Sequence, residues 1–237
     1  MKPQEQKKDP SWSGALRAAF PYTIPVLTGY LFLGAAFGIL LQSKGFSVKW
    51  AMFMSLTMYA GSGQFVAVNL LSYGADIFSV IFMTLMVNIR HMFYGLSMLQ
   101  RFQKMGRFKS YMIFSLTDET FSLLCSVKTP NEVDEKKFLF LIASLNQSYW
   151  VAGSVLGSLL GTLLSFDGGG VDFVMTALFI TIFIDQWKQT KDHLPALTGL
   201  GISLLCLLIW GPESFILPAM IGMAGALILM RRKGAKA

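Results

Sequence analysis

One arginine constrains this chain more than any other residue. Arg90 lies inside an apolar segment running from Ile77 to about Leu99, with thirteen residues before it and nine after. At 1.5 Å of rise per residue a helix of that length crosses a bilayer. A permanent cation then sits near the membrane's midplane, where it costs roughly 2.5–3.5 kcal/mol on insertion scales. It therefore needs a partner or a water-filled cavity.

The rest of the composition agrees with a membrane setting. Of 237 residues 54% are hydrophobic and only 14% charged, with twenty Phe and fourteen Met, where a soluble domain carries about 25% charged residues. The net charge of +7 arises from residues at segment ends, which suits anionic lipid better than nucleic acid. Cys125 and Cys206 lie in separate apolar runs and read as two buried thiols, and no His/Cys cluster has metal spacing, so no cofactor or metal is expected. The basic N-terminus ahead of an apolar run superficially resembles a signal peptide. The run is too long for one, and more spans follow, so cleavage is not expected.

Eight apolar segments read as helices, because an open strand cannot satisfy its backbone in lipid. They are about Ala18–Leu41 (broken early by Pro21 and Pro25), Trp50–Leu71 (interrupted at Ala60-Gly61-Ser62-Gly63-Gln64), Ile77–Leu99, Tyr111–Val127, Phe138–Leu164, Phe173–Ile184, Leu194–Trp210 and Ser214–Met230. Residues 1–14 are expected to form a polar cytoplasmic N-terminus, 15–230 a single transmembrane domain, and 231–237 a basic cytoplasmic tail. The expected fold class is an all-α integral membrane protein, a polytopic helical bundle of six to eight membrane segments.

Basic residues outside the third segment weigh two topologies. Eight full spans put thirteen inside and six outside; re-entrant first and fourth segments put all nineteen inside. Both arrangements stay open, and both place the termini in the cytoplasm. A weak repeat pairs Ala60-Gly61-Ser62 with Ala152-Gly153-Ser154 and Gly74-Ala75-Asp76 with Gly170-Val171-Asp172. It divides the domain into 18–109, 110–192 and 194–230, as in transporters that bind substrate where the halves meet.

Three polar stretches interrupt the apolar runs. In Asn88-Ile89-Arg90-His91 the guanidinium suits a carboxylate ligand; the alternatives are a fixed ion pair with Asp118 or Glu119, or a reach to the interface. His91 reads as donating to a carbonyl sooner than as a proton relay. Thr117-Asp118-Glu119-Thr120 holds the only acids in the middle of an apolar run, candidates for proton coupling or ammonium binding. Equally, Asp118 and Glu119 start a helix after a break, capped by Thr117. At Gly61, Ser62, Gly63 and Gln64 an unwound backbone suits a small zwitterion, close helix packing being the alternative. Phe65 and Phe93 are candidates to meet an apolar part of such a ligand, and Asn88 its polar end. Gly34 and Gly38, and Gly153, Gly157 and Gly161, read as helix-packing faces. A hydrolase has little to stand on, since Ser62 has no histidine partner.

Phe20-Pro21 with Pro25, Tyr59-Ala60-Gly61-Ser62-Gly63-Gln64-Phe65, Asn88-Ile89-Arg90-His91 and Leu116-Thr117-Asp118-Glu119-Thr120-Phe121 occur in this order. So arranged, the chain resembles the AzlC family, the large subunit of branched-chain amino acid exporters, over about residues 15–230. The resemblance implies a bacterial inner-membrane permease driven by the proton motive force. It would work with a small AzlD-type membrane subunit and export leucine, isoleucine, valine and often methionine. It transfers no residue roles. A channel-forming or regulatory subunit whose midplane charges are structural is the competing class.

Overall fold

A computed structural model describes residues 11–72, 74, 76–163, 176–177, 180, 183–184, 187–188, 192–215, 218–219, 221–223, 225–226 and 230. Every regular element among them is helical: α1 (Trp12–Ser43), α2 (Val48–Thr57), α3 (Gly61–Ser72), α4 (Ile77–Gln103), a 3₁₀ turn (Gly106–Phe108), α5 (Lys109–Phe114), α6 (Asp118–Ser126), α7 (Glu135–Leu163) and α8 (Leu194–Ser214). The helices α1, α4 and α7, and α8 from Leu194 to Gly211, are long and apolar enough to cross a membrane. The chain divides into two compact units, Met1–Met175 and Thr176–Ala237.

In the first unit α1 and α7 pack along their whole length. Contacts rise together in residue number: Tyr22 with Phe138, Tyr30 with Trp150, Gln42 with Ser158. The two helices are therefore parallel. Small residues make the approach possible. A side chain on Gly38 would run into the backbone of Ser154 and Ser158, and one on Gly157 into that of Ala35; Gly34 and Gly153 have backbone 3.0 Å or less from a Cβ position. These glycines are the packing faces read from their spacing.

The helix α1 corrects the expected break, and of the two open topologies its length suits a full first span. Ser11 caps its first turn by accepting from the Gly14 amide, and the helix passes through Pro21 and Pro25 for 32 residues. Each proline removes one backbone hydrogen bond, while α7 supports the helix on the other side. At about 48 Å it exceeds a roughly 30 Å hydrocarbon core.

The broken segments are the second and the fourth. The helix α2 follows α1 after four residues, and its last-turn carbonyl, Leu56, accepts from the Gln147 amide midway along α7 at 3.3 Å. Tyr59 then turns the chain with φ 32°, a strained setting for a residue with a side chain. The inner helix α3 begins beside Trp150 and ends four residues before α4 begins. In α4, Arg101 meets Glu135, and Met98 and Phe102 share a core with Phe138 and Leu139, so α4 runs antiparallel to α7. The α2–α3 pair is thus a hairpin entering from the end where α7 finishes, with its tip at mid-height.

The second hairpin enters from the opposite end. Phe108, between α4 and α5, packs on Trp12 and Phe140, and Tyr111 on α5 donates to Gln147 at 2.7 Å. The chain turns at Ser115–Thr117, and α6 returns until the Leu124 carbonyl accepts from Arg101. A long helix followed by a hairpin thus occurs twice, in opposite directions. The triplets of the weak repeat take different settings: Gly61 opens α3, whereas Gly153 lies inside unbroken α7. Residues 170–172 of that repeat, and most of the sixth segment, lie outside the described residues.

In the second unit, α8 starts after His193 with Pro195 in its first turn and is kinked at Gly211, φ 71°. Gly199 faces Met223, and Gly222 faces Ile202. Cys125 and Cys206 are both free thiols, and Cys125 is exposed instead of buried.

Candidate functional site

Both hairpin tips meet the middle of α4 at Arg90. One guanidinium nitrogen lies 2.8 Å from Asp118 Oδ2, and the other donates to Ser62 Oγ at 2.6 Å. Ser62 stands in the first turn of α3 and Asp118 in the first turn of α6. Two inner helices therefore present their N-terminal ends, where unpaired amides leave partial positive charge, to one spot. Asp118 and Glu119 offset that charge at α6; the first turn of α3 carries no acid. Thr117 caps α6, accepting from the Thr120 amide, so the helix-start reading of the acids holds together with the ion-pair reading of Arg90.

The pair is not fully spent. Both side chains are about 30% exposed. Arg90 Nε, Asp118 Oδ1 and Asn88 Oδ1 are nonetheless closed off from solvent without a hydrogen-bond partner. One donor and two acceptors are thus unsatisfied around a single ion pair, at roughly 1–3 kcal/mol each. The Asn88 amide donates to the Thr84 carbonyl and lies against Gly63, where a Cβ would stand 3.1 Å away.

The remaining candidates separate into two groups. Asn88, Ser62 and Gly63 join Arg90 and Asp118. Gln64 is buried and committed elsewhere: its oxygen accepts from Trp150 Nε1 at 2.6 Å and its amide reaches Ser55. Gly61 faces the same Trp150 ring. Phe65 is fully buried against Phe37, whereas Phe93 is exposed. His91 Nδ1 lies 3.1 Å from the Asn88 carbonyl, in keeping with its structural reading.

Glu119 turns the other way from Asp118. It accepts from the Tyr30 hydroxyl on α1 at 2.7 Å. That hydroxyl lies 2.6 Å from Thr117 Oγ1. Thr117 in turn meets Thr120, which accepts from Asn146 on α7. Tyr30 is the residue that sequence reasoning missed. Its one signal is a phenol in the middle of an apolar segment, which needs a hydrogen-bond partner somewhere.

Comparison with known proteins finds membrane and transport proteins. The family model described as AzlC protein matches residues 25–164. The chain is 46% identical over 231 residues to the branched-chain amino acid transport protein AzlC of Bacillus subtilis, covering 98% of this chain and 91% of that one. An uncharacterized membrane protein of Helicobacter pylori is 47% identical over 219 residues, 92% and 96% of the two chains. The inner membrane protein YgaZ of Escherichia coli K12 is 28% identical over 224 residues, 90% of each. No solved structure matches.

Proposed function

Since the chain belongs to the AzlC family of multi-pass membrane transport proteins, we propose that it is the large subunit of a proton-coupled exporter of branched-chain amino acids. Leucine, isoleucine and valine are its substrates, with methionine as a further one, and a small AzlD-type membrane subunit is its partner. The observation that carries the binding role is the set of unsatisfied atoms at the hairpin tips. A substrate carboxylate takes the Arg90 fork, including Nε. The ammonium takes Asp118 Oδ1 and Asn88 Oδ1. A zwitterion thereby replaces a pair of the same two charges, so charge is conserved when the site opens. Exposed apolar side chains beside it, Phe93 among them, suit the aliphatic tail.

Sidedness follows from charge. Arg101, Lys104, Arg107, Lys109, Lys128, Lys136 and Lys137 belong to the end where α7 begins, against Lys44 and Lys49 at the other. Positive residues favour the cytoplasm, so the first end and the N-terminus are assigned inside, in a bacterial inner membrane. The basic tail at 231–237 assigns the C-terminus inside by the same rule. The first hairpin then enters from outside and the second from the cytoplasm. That opposition suits alternating access around a central site.

The competing reading is a channel-forming or regulatory subunit. It is favoured by the direct 2.8 Å pairing of Arg90 with Asp118, which ties the hairpins together without any ligand. Efflux separates the two. Cells expressing the chain with its neighbouring small subunit are loaded with leucine- or isoleucine-containing dipeptide, and extracellular amino acid is followed. The transport reading expects export that Arg90→Lys and Asp118→Asn each reduce at least about tenfold. Export at the wild-type rate in both variants refutes the site.

A further inference from the structure

The two adjacent acids at the tip of the second hairpin have unlike surroundings. Asp118 faces Arg90, whose charge is permanent. The Asp118 carboxylate is engaged in that ion pair. Glu119 takes part in no ion pair among the described residues. It is exposed at the protein surface, and one of its oxygens is held by a buried tyrosine.

Behind that tyrosine lies a chain of hydroxyls with a hydrogen-counting problem. From Glu119 the contacts run to Tyr30 at 2.7 Å, Thr117 at 2.6 Å, Thr120 at 3.0 Å and Asn146 at 3.0 Å. Tyr30, Thr117, Thr120 and Asn146 are all nearly or fully buried. Each hydroxyl has one hydrogen, free to rotate. If Tyr30 donates to Glu119 while Thr117 donates to Thr120, the short Tyr30–Thr117 contact holds no hydrogen. With Glu119 ionised, Tyr30 donates to the carboxylate and Thr117 to Thr120, so the Tyr30–Thr117 contact stays unfilled. With Glu119 protonated, the acid donates to Tyr30, Tyr30 to Thr117 and Thr117 to Thr120, and every contact is filled. The Tyr30 hydroxyl thus has one orientation for each protonation state of Glu119.

We propose that Glu119 is the group that binds the transported proton, and that the Tyr30–Thr117–Thr120–Asn146 chain is the positioning network whose Tyr30 hydroxyl turns with it. The step is a proton taken from water by the Glu119 carboxylate on one side and returned to water on the other. The assignment rests on the transport reading above and adds a division of labour: Asp118 meets substrate, Glu119 the proton. The other titratable or charged groups around Glu119 are Asp118 on its own helix, Arg90, His91 and Tyr94 on α4, Tyr30 on α1 and Tyr59 at the first tip.

The test uses membrane vesicles containing the full chain with its small subunit, and labelled leucine. Two readouts are taken: accumulation driven by a pH gradient, and leucine–leucine exchange across a range of pH. Glu119→Gln is expected to lose gradient-driven accumulation at least about tenfold while exchange continues with a flattened pH profile. Tyr30→Phe is expected to keep both activities and to displace the midpoint of that profile by about one pH unit. Wild-type exchange together with undiminished gradient-driven accumulation in Glu119→Gln overturns this proposal alone. So does a profile flattened by Asp118→Asn and not by Glu119→Gln. Wild-type vesicles that exchange no branched-chain amino acid overturn the transport reading and this proposal with it. If Glu119→Gln fails to reach the membrane, Tyr30→Phe decides, and an unmoved midpoint counts against the proposal.

Discussion

The first hairpin opens its inner helix with Gly61-Ser62-Gly63, and the second opens its own with Asp118-Glu119-Thr120. Both turns stand at mid-height and both inner helices aim their N-termini at Arg90. The glycine-rich tip lets backbone and Trp150 approach closely and contributes one neutral oxygen. The acidic tip contributes two carboxylates and a threonine cap. The same backbone device thus appears once as a packing element and once as an electrostatic one. The difference teaches that the shape of a tip is set by where a helix must restart, while its chemistry is set by which residues fill that first turn.

The largest effect that bears on this pairing is all-or-none. In a Cys125→Ser background, Lys44→Cys is expected to react with a membrane-impermeant thiol reagent from outside and Lys104→Cys only from inside. Labelling of both from one side breaks the inverted arrangement. Next is Arg90→Ala, which frees both tips at once and leaves Asp118 without its cation. Fully buried pairs cost about 3–5 kcal/mol to break; with both side chains about 30% exposed, about 2 kcal/mol of stability is expected. Thermal unfolding in detergent reads that loss, and efflux is expected to fall at least about a hundredfold.

A smaller effect sharpens the contrast between the tips. Asp118→Asn removes a charge-assisted contact and is expected to lower leucine exchange by about ten- to a hundredfold. Ser62→Ala removes a neutral acceptor that water replaces, for a loss of about fivefold or less. Equal losses in the two variants would mean that the tips are chemically alike. Smallest is Gln147→Ala, which uncaps the Leu56 carbonyl at the end of α2 and releases Tyr111 on α5. Because Gln147 holds both outer arms, thermal unfolding is expected to show a loss of about 1–2 kcal/mol with substrate affinity kept.

Much of this was legible in the residues, for physical reasons. A cation in an apolar run has few affordable partners, so Arg90 pointed to Asp118 and Glu119. Glycines at spacings of four pointed to helix-packing faces, and the fold brings those faces together as the α1–α7 seam. Other features depend on contacts far apart in the chain and have no local signature. The prolines of α1 suggested a break because the support from α7, more than a hundred residues away, does not appear in a local window. Gln64 and Phe65 looked available for substrate until Trp150 and Phe37 were found on them. Tyr30 is one phenol among apolar neighbours, and only the fold brings it to Glu119. The second break was legible through its charges. The inversion of the hairpins was not, since it depends on which ends of α1, α4 and α7 lie together.

The central claim is that the Arg90–Asp118 pair opens to read both charges of a zwitterion. Competition of labelled leucine exchange by leucinamide and by N-acetyl-leucine tests it most directly, because each analogue keeps the aliphatic tail and lacks one charge. The account predicts that neither competes at a tenfold excess over unlabelled leucine that itself competes fully. If either competes as well as leucine, one end of the ion pair is not a substrate contact and the claim fails.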